Sequence, residues 1–102
     1  MICTLTARRL KPGVEDDFRA AFEGGVDEIP AEIRKRWTRV YVCRDVSDEN
    51  IILSFGFFDG TLYELREVQS EYDREAQIER LAPYIDEELL DGSFEVIEEI
   101  TP

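Results

Sequence analysis

Ser54-Phe55-Gly56-Phe57-Phe58-Asp59-Gly60 sets three phenylalanines about a glycine inside a chain of 102 residues whose formal net charge is −12. Aromatic residues favour strands and glycine weakens them, so Gly56 marks a bend, a bulge or a close approach of something else. Residues 51 to 58 form the second of two alternating runs. The first spans 37 to 45, and the polar link Val46-Ser47-Asp48-Glu49-Asn50 suits a hairpin loop. If Asp45 and Asn50 close that loop, Val42 faces Leu53, Val40 faces Phe55 and Thr38 faces Phe57. That nearly all-apolar side is expected to meet the helices, with Phe55 and Phe57 in the core. The same register puts Trp37 opposite Phe58, Arg39 opposite Gly56, Tyr41 opposite Ser54 and Cys43 opposite Ile52 on the other side.

Outward from the hairpin, residues 2 to 9 read as a strand, with Thr4, Thr6 and Arg8 on one face, expected to join the mixed side. Lys11-Pro12-Gly13 stops it. The stripe Val14, Phe18, Ala21 and Phe22 predicts an amphipathic helix with Glu15, Asp16 and Asp17 at its positive end, closed by Gly24-Gly25. Pro30 opens a short helical turn. Thr61 with Glu64 is a capping box, which begins a helix carrying Leu62, Leu65 and Val68, and Ser70 with Asp73 is a weaker start signal. Ile78, Leu81, Ile85 and Leu89 then continue a helical stripe that Pro83 kinks or divides. Gly92 ends it, and Phe94 to Ile100 read as a last strand. The order β-α-β-β-α-β predicts an α+β, ferredoxin-like domain over residues 1–102, with a four-stranded antiparallel sheet in the order 4-1-3-2 and helices on one face. Strand 3 then separates Cys3 from Cys43, which are expected to remain thiols.

Composition excludes several classes of function. Twenty-four acidic against 12 basic residues repel polyphosphate, so neither nucleic acid nor an anionic membrane surface is an expected partner. No apolar run approaches the roughly 18 residues of a membrane span, and the strand-like opening Ile2-Cys3-Thr4-Leu5 does not read as a signal peptide, which points to the cytoplasm. The chain contains no histidine. That removes the commonest general base, the Ser-His and Cys-His nucleophile pairs and the usual haem ligand. Neither a zinc spacing nor a calcium loop nor a phosphate-binding glycine motif is present, so no metal is expected. The acidic run Asp86-Glu87-Glu88 reads as a solvated face.

The element order, Lys11-Pro12-Gly13 before an acidic helix start, the aromatic hairpin and the return Gly92-Ser93-Phe94 together resemble the dimeric α/β-barrel superfamily, in its antibiotic biosynthesis monooxygenase-like (ABM-like) branch. The resemblance covers essentially the whole chain and rests on element order more than on residue matches. It implies a homodimer formed through the open sheet face, with a pocket between sheet and helices in each subunit. It also implies cofactor-free chemistry: oxygenation of an electron-rich aromatic whose own anion supplies the electron.

The candidate pocket residues are Trp37, Arg39, Tyr41, Ser54, Gly56, Phe58, Thr4, Thr6 and Arg8. Among them Arg39 could steady a phenolate or enolate, Tyr41 could bond a quinone oxygen and Trp37 could stack on a ring. Equally, Trp37 and Tyr41 could fill a dimer interface with Arg39 paired to an acid of the partner. Gly56 either leaves space for a ligand or sits at a bulge. With no acid/base pair evident, the sequence supports a dimeric small-molecule-binding protein, and alternatively a cofactor-independent monooxygenase acting on a polyketide-like or quinol-like substrate.

Overall fold

The computed structural model describes residues 1–102. Strand β1 (Ile2–Leu10) leads into helix α1 (Glu15–Glu28) and the short helix α2 (Ala31–Arg34), followed by the hairpin β2 (Trp37–Arg44) and β3 (Ile51–Phe58). Helices α3 (Leu62–Gln69) and α4 (Arg74–Leu81), a 3-10 turn at Ala82–Tyr84 and β4 (Ile85–Glu95) complete the chain. The antiparallel sheet has the order β2-β3-β1-β4, the ferredoxin-like arrangement expected from the sequence. Cys3 and Cys43 lie on strands separated by β3, and both are free.

The hairpin register differs from the expected one by a residue. Val40 pairs with Gly56, Tyr41 with Phe55, Val42 with Ser54 and Cys43 with Leu53, whereas Trp37 still meets Phe58 because a bulge at Thr38 absorbs the difference. The cause lies in the loop. Asp45 Oδ1 accepts from the amides of Ser47 (2.7 Å) and Asp48 (3.0 Å), and Asp45 N donates to Ile51 O at 3.0 Å, so the loop closes on Ile51 and not on Asn50. Because side chains alternate with period two, a one-residue slip exchanges the faces of a strand.

The exchange falls on β3, while Val40 and Val42 of β2 keep the helix side. Ile52, Ser54, Gly56 and Phe58 point to the helices, and Phe55 and Phe57, expected in the core, lie on the opposite face only partly buried. Two apolar clusters anchor the helices to the sheet. Ile2 and Phe58 pack with Ile33, Leu65 and Val68, and Leu10 and Ile52 pack with Phe18 and Leu81. Each such burial contributes on the order of 1.5 to 3 kcal/mol.

Three further boundaries move. Helix α1 runs through Gly24-Gly25 instead of ending there, because α4 packs against that stretch: Gly25 is buried, its carbonyl accepts from Gln77 Nε2 at 2.9 Å, and a Cβ on Gly24 would sit 3.1 Å from the Arg80 guanidinium. Helix α4 is capped by Asp73, whose carboxylate accepts from Ala76 N, and it ends before Pro83. Ile85 and Leu89 therefore belong to β4, and residues beyond Glu95 form no strand. The i, i+4 spacing of Ile85 and Leu89 mimicked a helix, whereas the register of β4 on β1 shifts twice over this stretch.

The capping box is present, with Thr61 Oγ1 accepting from Glu64 N at 3.2 Å and Glu64 Oε1 from Thr61 N at 3.1 Å. Arg36 ties the cap to the sheet. It donates to Glu64 (2.9 Å) and to Asp59 O (2.8 Å), and it covers the Phe58 ring with its guanidinium 4.8 Å from the ring centre. Bonds from Thr61 and Arg36 hold the Glu64 carboxyl below its ordinary pKa, bonds from Asn50 and Arg9 do so for Asp48, and Arg44 does so for Glu15. The contribution of these groups is complete above the unfolded carboxylate value of about 4 and is lost as pH falls through the lower folded values. Urea midpoints measured from pH 6 down to 2.5 should therefore hold steady and then decline, less steeply in Glu64→Gln, which keeps a capping side chain but no longer titrates. Thr61→Ala should lower stability by about 1 kcal/mol in the same assay.

Candidate functional site

Along the helix-facing side of β1 the residues run Ile2, Thr4, Thr6, Arg8, Leu10, and their partners on β3 run Phe58, Gly56, Ser54, Ile52. The apolar clusters take the two ends. The middle rows are small or polar, continued on β4 by Ser93 opposite Thr4 and Asp91 opposite Thr6. Helices that rest on the ends of the sheet cannot collapse onto such a middle, and a cavity of about 230 Å³ remains there. Its roof comes from α1, through Phe22, Gly25 and Val26, and from Tyr72 and the α4 residues Arg74, Gln77 and Ile78.

Trp37 governs one side of the cavity. Its indole crosses over β3, donates from Nε1 to Thr4 Oγ1 at 3.2 Å and meets Phe58 edge-on with ring centres 5.0 Å apart. Gly56 lies beneath it. A Cβ on Gly56 would stand 2.9 Å from Arg39 O, 3.0 Å from Val40 Cγ2 and 3.1 Å from Trp37 Cδ1. The glycine is thus required first by the bulged β2 strand and the indole, although its backbone also lines the cavity.

At the opposite side stands Arg8, 8% exposed, with its guanidinium carbon 5.9 Å from the centre of the Phe18 ring. Its Nε is buried without a hydrogen-bond partner, and it makes no ion pair within 4.0 Å. Burial pulls its pKa below the ordinary arginine value, against the weaker opposing influence of Glu88 and Asp91. The guanidinium nonetheless stays charged at neutral pH. Ser54, 5% exposed, has a buried hydroxyl with no partner, and Arg34 Nε is likewise orphaned while its terminal nitrogen pairs with Asp27 at 3.6 Å. On the solvent side Arg74 meets Asp91 at 3.4 Å. Burial raises the pKa of Tyr72, so its phenol stays a neutral donor. A buried charge or hydroxyl left unpaired is costly, and three in one cavity amount to a set of donors awaiting an acceptor.

Six of the nine sequence-predicted site residues line this cavity: Thr4, Thr6, Arg8, Trp37, Ser54 and Gly56. They do so on the helix side, not on the open face where the expected register had put them. Phe58 is fully buried beneath Trp37 as core. Arg39 and Tyr41 stay on the outer face as expected but line no cavity, because the β3 residues expected beside them have turned inward: Tyr41 stacks on Phe55 with ring centres 5.2 Å apart, and Arg39 donates to the Tyr41 hydroxyl at 3.4 Å. The reading of the sequence missed Val26, Arg34, Val40, Tyr72, Gln77 and Asp91. Only Val26 carried a signal, since it continues the Phe18–Phe22 stripe by four residues, and Gly24-Gly25 masked it.

No family model matches the chain, and neither does any curated protein. Solved structures do. A candidate antibiotic biosynthesis monooxygenase from Chloroflexus aurantiacus J-10-fl aligns over 98% of this chain and 96% of its own, with 16% identity and a TM-score of 0.70. The fold is that of the ABM-like proteins. Tetracenomycin F2 cyclase of Streptomyces glaucescens, a type-II polyketide cyclase, shares 25% identity over 98% of this chain and 97% of its own, at a TM-score of 0.60. A dimeric ferredoxin-like protein from an uncultured marine organism covers 99% of this chain and 91% of its own, with 11% identity and a TM-score of 0.63.

Two substitutions probe the geometry. Gly56→Ala should cost on the order of 1 to 3 kcal/mol, measured by urea unfolding, because the strand backbone and indole must both shift. Arg8→Met should instead stabilise the unliganded protein by about 1 to 2 kcal/mol, since a buried charge without a partner is replaced by a chain of similar volume.

Proposed function

We propose that this chain is a small-molecule-binding protein, a single ferredoxin-like unit that works as a homodimer and holds its ligand in the cavity between sheet and helices. The carrying observation is the meeting of a ring-sized cavity with buried, unpartnered polar groups, Arg8 Nε and Ser54 Oγ. An engineered cavity of roughly 150 Å³ accepts benzene. One of about 230 Å³ suits a substituted ring or two fused rings, with Trp37 and Phe22 as apolar walls. Site size therefore favours a small aromatic over an extended polycycle.

The outer sheet face supports the dimer. It carries Leu5, Leu53, Phe55 and Phe57 together with Tyr41, 42% exposed, and Phe94, 47% exposed, and no helix of the chain covers it. Such an apolar surface calls for a partner, and a second copy presents the matching one. No helix is long and apolar enough to cross a membrane. We place the protein in the cytoplasm, where Cys3 and Cys43 stay reduced.

A second reading, cofactor-independent oxygenation of an electron-rich aromatic, draws on the cationic lining, which could stabilise a phenolate or enolate. It also draws by analogy of fold on the monooxygenase and cyclase names of the structural neighbours. In this reading the substrate's own anion gives its electron to oxygen, and because the chain has no histidine base the substrate must enter already ionised or lose its proton to solvent.

The lone tryptophan lines the cavity and reports on it directly. Titration with naphthols and hydroxynaphthoquinones should quench Trp37 fluorescence saturably, and absence of saturation would refute the binding reading. Oxygen uptake with hydroxylated anthrones or quinols, measured in parallel, separates the readings: turnover establishes the oxygenase, and saturable binding without uptake favours the binding protein. Sedimentation should give a dimer at micromolar concentration and a monomer for Phe55→Asp.

A further inference from the structure

The charge inventory of the cavity is opposite to that of the chain. Its charged lining residues are Arg8, Arg34, Arg74 and Asp91, in a protein with twice as many acids as bases. Two of the three arginines are already answered: Arg34 by Asp27 at 3.6 Å and Arg74 by Asp91 at 3.4 Å. Arg8 is the most buried of the three, and no carboxylate lies within 4.0 Å of it. The site therefore holds one uncompensated positive charge. Glu88, opposite Arg8 in the β1–β4 ladder, is the nearest acid by register, but it is exposed and stays beyond pairing distance.

Resting on the small-molecule reading above, we infer that the ligand of this cavity is a monoanion, an aromatic or otherwise planar apolar carboxylate whose charged end docks on Arg8 and Ser54. The arginine fork matches two carboxylate oxygens with parallel donors, which neither a neutral carbonyl nor a hydroxyl can use fully. Ser54 lies diagonal to Arg8 across the β1–β3 ladder, on the same face, and its unpartnered hydroxyl supplies a further donor to the same end of the cavity. The apolar body then extends toward Phe22, Val26 and Trp37. Charge count sets the class. One negative charge neutralises the site, whereas a phosphate or sulfate dianion carries a second into a partly apolar enclosure without a second free cation.

The test compares 1-naphthoate with 1-naphthamide, its neutral counterpart of equal shape, by calorimetric titration of the full-length protein at pH 7. The acid is expected to bind at least about tenfold more tightly than the amide, as the loss of one charge-assisted pair predicts. In Arg8→Met that preference should vanish while the amide affinity stays within about threefold of the parent. In Glu88→Gln the preference should persist or rise. Binding of neither probe overturns the small-molecule reading itself. Binding of both with equal affinity leaves that reading standing and overturns the monoanion assignment, as does a preference for the acid that survives in Arg8→Met. Should Arg8→Met fail to fold, salt dependence in the parent serves instead: a preference for naphthoate abolished by 0.5 M sodium chloride marks a screened surface contact and overturns the buried site, and one that persists supports it.

Discussion

Asp45 accepts two loop amides in succession, and the register of the whole β2–β3 hairpin follows from that small arrangement. Closing the loop on Ile51 instead of Asn50 adds one residue to the turn, and period-two alternation passes that residue on to every side chain of β3, while Val40, Tyr41 and Val42 of β2 keep their expected faces. Ser54 and Gly56 are thereby sent under the helices, and Phe55 and Phe57 to the other side. The bulge at Thr38 then restores Trp37 to the inner face opposite Phe58. Its indole comes to rest over the one β3 position that lacks a side chain.

Cavity and core come from the same strands. An inner face that reads apolar, polar, polar, cationic, apolar along β1 cannot be packed to uniform density by helices carrying phenylalanine and leucine. Helices anchored at Phe58 and at Ile52 span the gap between, and the gap is where unpaired donors collect. Local rules of polar satisfaction are broken in one place only partly open to water, and such places are where function is sought. Gly24-Gly25 contributes to the same end from the other layer, letting α4 approach α1 closely enough to roof the site.

Acidity and the arginine lining are compatible because they occupy different regions. The acids lie mostly at the surface, where the field they create keeps the protein soluble and disfavours polyanions. Arg8, shielded by Phe18 and by the sheet, feels burial more strongly than the nearby acids. A single small anion can still satisfy it, since local hydrogen bonding at close range outweighs a distant, screened net charge.

Element order, the Thr61–Glu64 cap, the α1 stripe and the strand order were legible in the amino-acid sequence, because each depends on neighbours within a few residues or on topology rules that leave few choices. So was the set Thr4, Thr6, Arg8, Ser54 and Gly56, which shares one face through simple alternation on β1 and β3 whichever face that is, whereas Trp37 stays with it only through the bulge at Thr38, which parts it from Arg39 and Tyr41. Tertiary structure alone decided the rest. Whether Gly24-Gly25 ends a helix or seats its neighbour depends on α4, and whether Ile85 and Leu89 are helical or extended depends on pairing with β1. Which side of the hairpin meets the helices depends on a turn whose length is set by side-chain hydrogen bonds. A sequence displays periodicity, which is local, but not phase relative to a distant layer, and the site of this protein is a matter of phase.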